Sequence, residues 1–402
     1  MGMARTRGDE GGVALPMALV ALALLTSLML ALASLAQVEP VIAANHVLGS
    51  QARTLAESGL ELALWALATP ASAGGAAPPA PAGAPFDGGT FFGLGPGGFT
   101  VEIAAHPGGD PHRRTVTSVG WAPTNSATDP RPRAHRRVVV DVAAIPPLGR
   151  QAPCALCVRG GLEVSGSVTI DGRNADAGCG GDTKHGALST QATTLAGGPT
   201  LAGGAGPGDQ HRPVADLERV TLSPAALEAL RTLAWRNGTY YGPGFPRGGP
   251  VSDGGSTWSG RIAFDASTPL RDGVVFVDTT DGRHVAGAAD AATLAGVRLD
   301  ATAVVTPPGV FRGWIVVNGS LDVTGGVHVR GVVYTVDTLG YRATGVPARI
   351  DGLVVSLNVR DAGPARLEAS GGGALALVFD CAAVAGPVPA GVVPLPGTYR
   401  EE

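Results

Sequence analysis

The sequence predicts an α+β fold that is mainly β: a long N-terminal helix, half membrane-spanning and half amphipathic, then a small antiparallel sheet, then an interrupted parallel β-solenoid. Three observations carry this expectation. An uncharged apolar run passes into residues spaced three and four apart, which is helical periodicity. Three short runs then alternate apolar and polar residues, the period of half-buried strands. From about residue 150 a unit of glycine, apolar strand and Asp or Asn recurs near every twenty residues. The 61 glycines and 32 prolines raise the question of disorder, but 45% of the chain is hydrophobic and only 15% charged. That balance can bury a core. A net charge of −4 supplies no field for nucleic acid.

Met1 to Gly12 is a short polar leader containing Arg5, Arg7, Asp9 and Glu10. Val13 to Ala36 carries no charge. As a helix these 24 residues span about 36 Å, enough for a hydrocarbon core of about 30 Å. Arg5 and Arg7 place the N-terminus on the cytoplasmic side. The run is too long for a cleaved secretory signal, whose apolar core is about 7–15 residues. The pattern also continues past the membrane. Ala44, Leu48, Ala52, Leu55, Ala56, Gly59, Leu60, Ala63 and Leu67 form one face, with Gln51, Arg53, Glu57 and Glu61 between them. A kink is expected at Pro40 and an end near Thr69-Pro70.

A polar leader ending in glycine, an apolar helix directly after it, and the continuation Ala56-Glu57-Ser58-Gly59-Leu60-Glu61 resemble the PilX-type minor pilins of type IV pili. The wider superfamily includes the pseudopilins of type II secretion. The resemblance is close over residues 5–70 and looser to about 145. It implies cleavage after Gly12 by a prepilin peptidase, with Val13 as the new amino terminus and Gly11 as a second cut point. It implies packing against other pilins or pseudopilins through the N-terminal helix. It also implies a single inner-membrane pass, with the C-terminal part periplasmic or on the pilus at the cell surface. Position five of the mature chain is Met17, where most major pilins carry Glu. The filament-packing carboxylate is therefore missing, which points to a minor subunit rather than a major one.

Residues 71–87, rich in Ala, Gly and Pro, form a linker to a small sheet over 88–147. Its strands are Phe99–Ile103, Thr115–Trp121 and Val138–Val142, with turns at Pro107–Asp110 and Pro123–Pro132. Arg131, Arg133, His135, Arg136 and Arg137 make a basic run near Arg113 and Arg114. No aromatic residues interleave with it, so it reads as a solvated hairpin end and no nucleic acid partner is expected.

Residues 148–391 hold the repeats. Gly160–Gly172 matches Gly319–Gly331 with six identities in thirteen positions. Runs beginning at Gly273, Gly313, Gly331, Gly352 and Gly373 each pass through an apolar strand to Asp or Asn. Such units stack as a solenoid, glycine turning the corners and the Asx residues forming a ladder. A helix opened by Ser223-Pro224, lined by Leu227, Leu230 and Leu233, and closed by Asn237-Gly238 sits in an insertion at about 215–260. Residues 183–215 and 242–258 read as irregular loops, and 392–402 as a tail.

Four cysteines, Cys154, Cys157, Cys179 and Cys381, lack a second ligand pair for zinc and a thioredoxin-like setting for redox work. In an exported domain they read as disulfide cysteines with the pairing open. Asp171, Asn174, Asp176 and Asp182, beside Lys184 and His185, match no standard calcium loop and read as solvated. No catalytic fingerprint stands in a strand-to-helix setting, so neither an enzyme activity, a metal nor a cofactor is expected. The competing expectations are a membrane-tethered carbohydrate-active β-helix protein, which needs converging carboxylates, a pseudopilin of a type II secretion system, and a pilin taking up DNA through the 131–137 run.

Overall fold

The computed structural model describes residues 14–68, 83–108, 113–145, 148–173, 183–204, 214–243, 258–285, 287–304, 309–385 and 392–402. The first element is one helix, α1 (Ala14–Ala68), 55 residues long with Pro40 inside it. At 1.5 Å per residue its length is about 80 Å.

An antiparallel sheet follows, of β1 (Asp87–Leu94), β2 (Gly97–Ala105), β3 (Arg113–Ala122) and β4 (Ala134–Ala144), each paired with the next. β2, β3 and β4 contain the three expected strands. β1 was not among them, because Asp87-Gly-Gly-Thr offers no alternation. The amphipathic face of α1 lies on this sheet. Ala56, Leu60, Ala63, Ala66 and Leu67 share a core with Phe99, Val101, Ile103, Val116, Val138, Val140 and Val142. Each large apolar side chain so buried stabilises the docked helix by about 1.5–3 kcal/mol. Glycines set the distance between the layers. A Cβ on Gly120 would lie 2.0 Å from the Ala52 carbonyl oxygen, and one on Gly59 would lie 2.2 Å from the Ser118 hydroxyl.

Between α2 (Leu148–Gln151) and Val378 the strands pair in parallel. The chain first makes β5 (Cys154–Val158), β6 (Leu162–Gly166), β7 (Val168–Asp171), β8 (His185–Ser189), β9 (Thr193–Ala196) and β10 (Thr200–Ala202). Helices α3 (Val214–Glu218) and α4 (Pro224–Asn237) follow. Then come β11 (Tyr240–Tyr241), β12 (Arg261–Phe264), β13 (Gly273–Val277), β14 (Ala295–Asp300), β15 (Val310–Val317) and β16 (Gly319–Thr324). The series ends with β17 (His328–Thr335), β18 (Leu339–Thr344), β19 (Pro347–Ser356), β20 (Ala365–Ser370) and β21 (Ala374–Val378). One sheet runs β12-β14-β16-β18-β20-β6-β9 and the other β11-β13-β15-β17-β19-β21-β7-β10, with β5 beside β19 and β8 beside β5. The matched stretches 160–172 and 319–331 each supply a strand to the first sheet and then begin one in the second.

The glycine repeat has a direct structural cause. Gly273, Gly313, Gly331 and Gly352 stand opposite one another on successive strands. Their φ angles are +114°, +151°, +147° and +146°, and a Cβ on Gly331 would lie 1.8 Å from the Gly313 carbonyl oxygen. Only glycine fits such a column. Gly373 does not belong to it, since Ala374 pairs with Pro347 rather than near Gly352. β21 covers the first half of β19 and β5 covers the second half, at Val354–Ser356.

Three further expectations are corrected. The 215–260 segment does not interrupt one continuous stack; α3 and α4 carry the chain from β9 and β10, at one end of the sheets, to β11 and β12 at the other. The strands before it then stack on the last ones, β6 on β20 and β7 on β21. The region 183–215, read as loop, holds β8, β9, β10 and the start of α3, whose short Thr- and Ala-rich strands lack the glycine-to-Asx signature. The tail is not free either. After α5 (Cys381–Ala385), β22 (Val392–Pro394) and β23 (Arg400–Glu401) both pair antiparallel with β4. Helix α4 fits its reading closely: the Ser223 hydroxyl accepts from the Ala226 N–H, and Gly238 adopts φ 69°. α4 touches β4, β22 and β13, so one apolar core runs from Ala143 and Ile145 through the parallel strands to Val393 and Leu395.

Candidate functional site at the exposed helix and its junction

Helix α1 changes character along its length. Up to Val47 its described side chains are exposed, and Met17 is 70% exposed. Leu15, Met17, Leu19, Val20, Leu22, Leu24 and Leu25 face outward all round the helix. A helix apolar on every side is not stable in water and needs lipid or other helices around it. α1 is long and apolar enough to cross a membrane. The cleavage positions Gly12 and Val13 lie outside the described residues.

Burial begins near Leu48 and is complete at Ala52. Between the bare and docked halves lies a groove of about 490 Å³. One helical stripe lines it, from Ile42 and His46 to Ser50 and Arg53, with Arg136 of β4 and Glu401 of β23 opposite. Glu401 lies 3.6 Å from Arg53 and 3.9 Å from Arg136. Glu402 lies 2.8 Å from Arg137. The C-terminal residues therefore tie the sheet to the helix. They also answer much of the basic run. Arg131 is paired with Asp129 at 2.6 Å, and its hydrogen bonds hold the Asp129 carboxyl down at about 2. Arg114 is buried against the helix side of β3, and Arg113 lies 3.8 Å from Asp141.

Cys154, Cys157 and Cys381 are buried. Cys154 and Cys157 are bonded to each other within β5. Cys381, at the start of α5, is also disulfide-bonded, and Cys179 lies outside the described residues. Of the oxygen-rich loop, Asp171 is held by Arg173 at 2.7 Å, whose hydrogen bond draws the carboxyl below its ordinary value. Asn174, Asp176 and Asp182 lie outside the described residues. Among the described residues no three His, Cys, Asp or Glu side chains cluster as metal ligands would.

Two polar centres escaped the sequence reading. Asp278, fully buried, takes hydrogen bonds from Arg231, Tyr240, Asn318 and its own neighbour Thr279. Arg231 lies 2.9 Å from it and also reaches Glu228 and the Gly282 carbonyl. Burial, with the Asp278 charge beside it, pushes the Tyr240 hydroxyl pKa far up, so it stays a proton donor. Asn318 over Asp278 is the one expected Asx ladder step that forms. Asp337 instead turns to Arg360 and Ser320. Burial alone would raise the Asp337 pKa, but Arg360 and Ser320 bring it below the usual carboxylate value. Asp278 and Asp337 are thus each engaged by their own arginine rather than converging. The Asx ends of the repeats marked both places, but Arg231 and Arg360 carry no periodic signal.

No family model, curated protein or solved structure matches this chain.

Proposed function

We propose that this chain is a non-enzymatic, PilX-type minor pilin-like subunit of a type IV pilus. It is inserted in the inner membrane through α1 and carries a β-solenoid head formed by the two parallel sheets. One observation carries the reading: a single 55-residue helix, exposed and apolar in its first half, whose second half lies along an antiparallel sheet. The Ala56-Glu57-Ser58-Gly59-Leu60-Glu61 stretch supports it, because Ala56, Gly59 and Leu60 are the buried face of that contact. The glycine column and the in-register parallel pairing support the solenoid head. Met17 in place of a carboxylate suits a subunit present in few copies, since no charge pair then needs burial. The partners are a prepilin peptidase and other pilins, and the head is presented for interaction or adhesion.

N-terminal sequencing of the protein in membranes and sheared surface fractions tests this. The expected start is Val13, with the full-length form accumulating when the prepilin peptidase is deleted. A start elsewhere than Val13 or Gly12, or no change in that deletion strain, sinks the reading.

A further inference from the structure

The parallel sheets have two ends, and they are finished differently. At the β11 and β12 end, β12 bears Arg261 and is followed by Asp265. Tyr240, Trp258 and Arg231 of α4 close over the last corner at Asp278 and Thr279. Charges and a covering helix are the usual protection for a strand edge. At the other end β9 pairs only with β6, and β10 only with β7, among the described residues. Thr194, Leu195, Ala196 and Thr200 are exposed there, Leu195 by 44%. Residues 186–204 contain no charge at all, in a chain that is 15% charged. Threonines at 193, 194 and 200 favour extended backbone. Gly197 and Gly198, with φ of +76° and +81°, make the corner between the two strands.

We propose that the β9 and β10 edge is a docking surface for a second copy of this chain, the two edges meeting antiparallel about a two-fold axis. Turning one stack over to meet another end to end reverses its strand direction, so antiparallel pairing follows from the symmetry. The choice of a second copy rests on charge. In a two-fold contact each residue meets itself or a near neighbour, so any charge close to the axis would face its own sign. An edge free of charge over 186–204 meets that condition, whereas a distinct partner would be selected by complementary charges. Backbone hydrogen bonds then supply the contact, as they do between successive strands within the sheets. The inference stands on the parallel sheets and does not depend on the reading of α1.

The test uses the full chain in a nonionic detergent, followed by sedimentation equilibrium. The wild type is expected to be dimeric. Leu195→Lys and Leu195→Glu, each keeping the wild-type circular dichroism spectrum because the side chain is exposed, are each expected to dimerise about tenfold more weakly or worse. An equimolar mixture of the two is expected to regain the dimer, since opposite charges then meet. Thr194→Lys and Thr194→Glu repeat the test at a second exposed position. A monomeric wild type, a dimer indifferent to both charges, or a mixture no stronger than either variant alone overturns the proposal; the second outcome would assign the dimer to α1.

Discussion

In the antiparallel sheet, β1 to β4 each pair with the next strand in the chain, and α1 lies across them. In the parallel sheets, β6 pairs with β20, although Leu162 and Ala365 are some 200 residues apart. The first region is held by large apolar side chains of a helix against strands, with Gly59 and Gly120 setting the approach. The second is held by repetition, strand on strand in register, with a glycine column inside the strands. A hairpin sheet has its order fixed by short loops. Stacked passes with equivalent apolar faces do not, because each can cover any other.

The glycine column is the sharpest place to break the comparison. Gly331→Val places side-chain atoms against the Gly313 backbone at a φ valine does not adopt. The expected loss exceeds about 5 kcal/mol, enough to leave the parallel sheets unfolded. Gly345→Ala is the control: φ is +73°, but nothing lies within 4 Å of its Cβ, so the expected cost is only about 1–2 kcal/mol. Thermal melts of the two variants read the difference. Equal losses would mean that the close backbone approach in the column is not what demands glycine there.

Next in size is the crossover. Arg231→Ala leaves the carboxylate of Asp278 buried without its cation, with an expected cost of about 3–5 kcal/mol. Proteolysis should open the α4 and β11 end first and spare the α1 contact with β3. Digestion beginning in β2 to β4 would show that the two regions do not unfold separately.

These variants also mark what the sequence made legible. Helix α1, strands β2 to β4, helix α4 with both caps, and the glycine repeats follow from local patterns, and each local pattern has its own physical cause. Stacking order has none. Residues 160–172 look like 319–331 because both make the same turn of the same sheets, yet nothing in either says that β6 sits on β20. The short strands β8 to β10 were missed because Thr, Ala and Gly carry little periodicity. The same lack of pattern hid the return of β22 and β23 to β4. The Arg231 and Arg360 contacts span 47 and 23 residues, and such pairings are set only by the fold.

The helix–sheet contact gives a smaller effect, confined to the first region. Gly120→Val overfills a layer already in backbone contact with Ala52 and Ala56. The expected loss is about 1–3 kcal/mol, with α1 partly released and the parallel sheets intact. Hydrogen exchange along β3 and along β17 separates the two, and protection lost equally in both would mean that the two regions unfold as one.

The smallest contrast is in pH. Asp337 has its pKa lowered in the folded chain, so its stabilising contribution is complete above the unfolded value, about 3.9, and fades as pH falls through the folded value. Asp337→Asn should therefore lower stability at neutral pH and flatten the acid limb of the stability curve below about pH 4. Asp129 in the β3–β4 turn is also lowered, to about 2, by Arg131. Its pair is solvated, and solvated pairs add little. Asp129→Asn should flatten the acid limb less than Asp337→Asn, because Arg131 stands only two residues away and pairs with it in the unfolded chain as well. The same type of ion pair thus separates the two regions: Asp337 is fully covered and held across 23 residues, while Asp129 is half-buried on a turn and paired with an exposed neighbour, Arg131. A flattened limb in the Asp129 variant, with none in the Asp337 variant, would reverse that assignment.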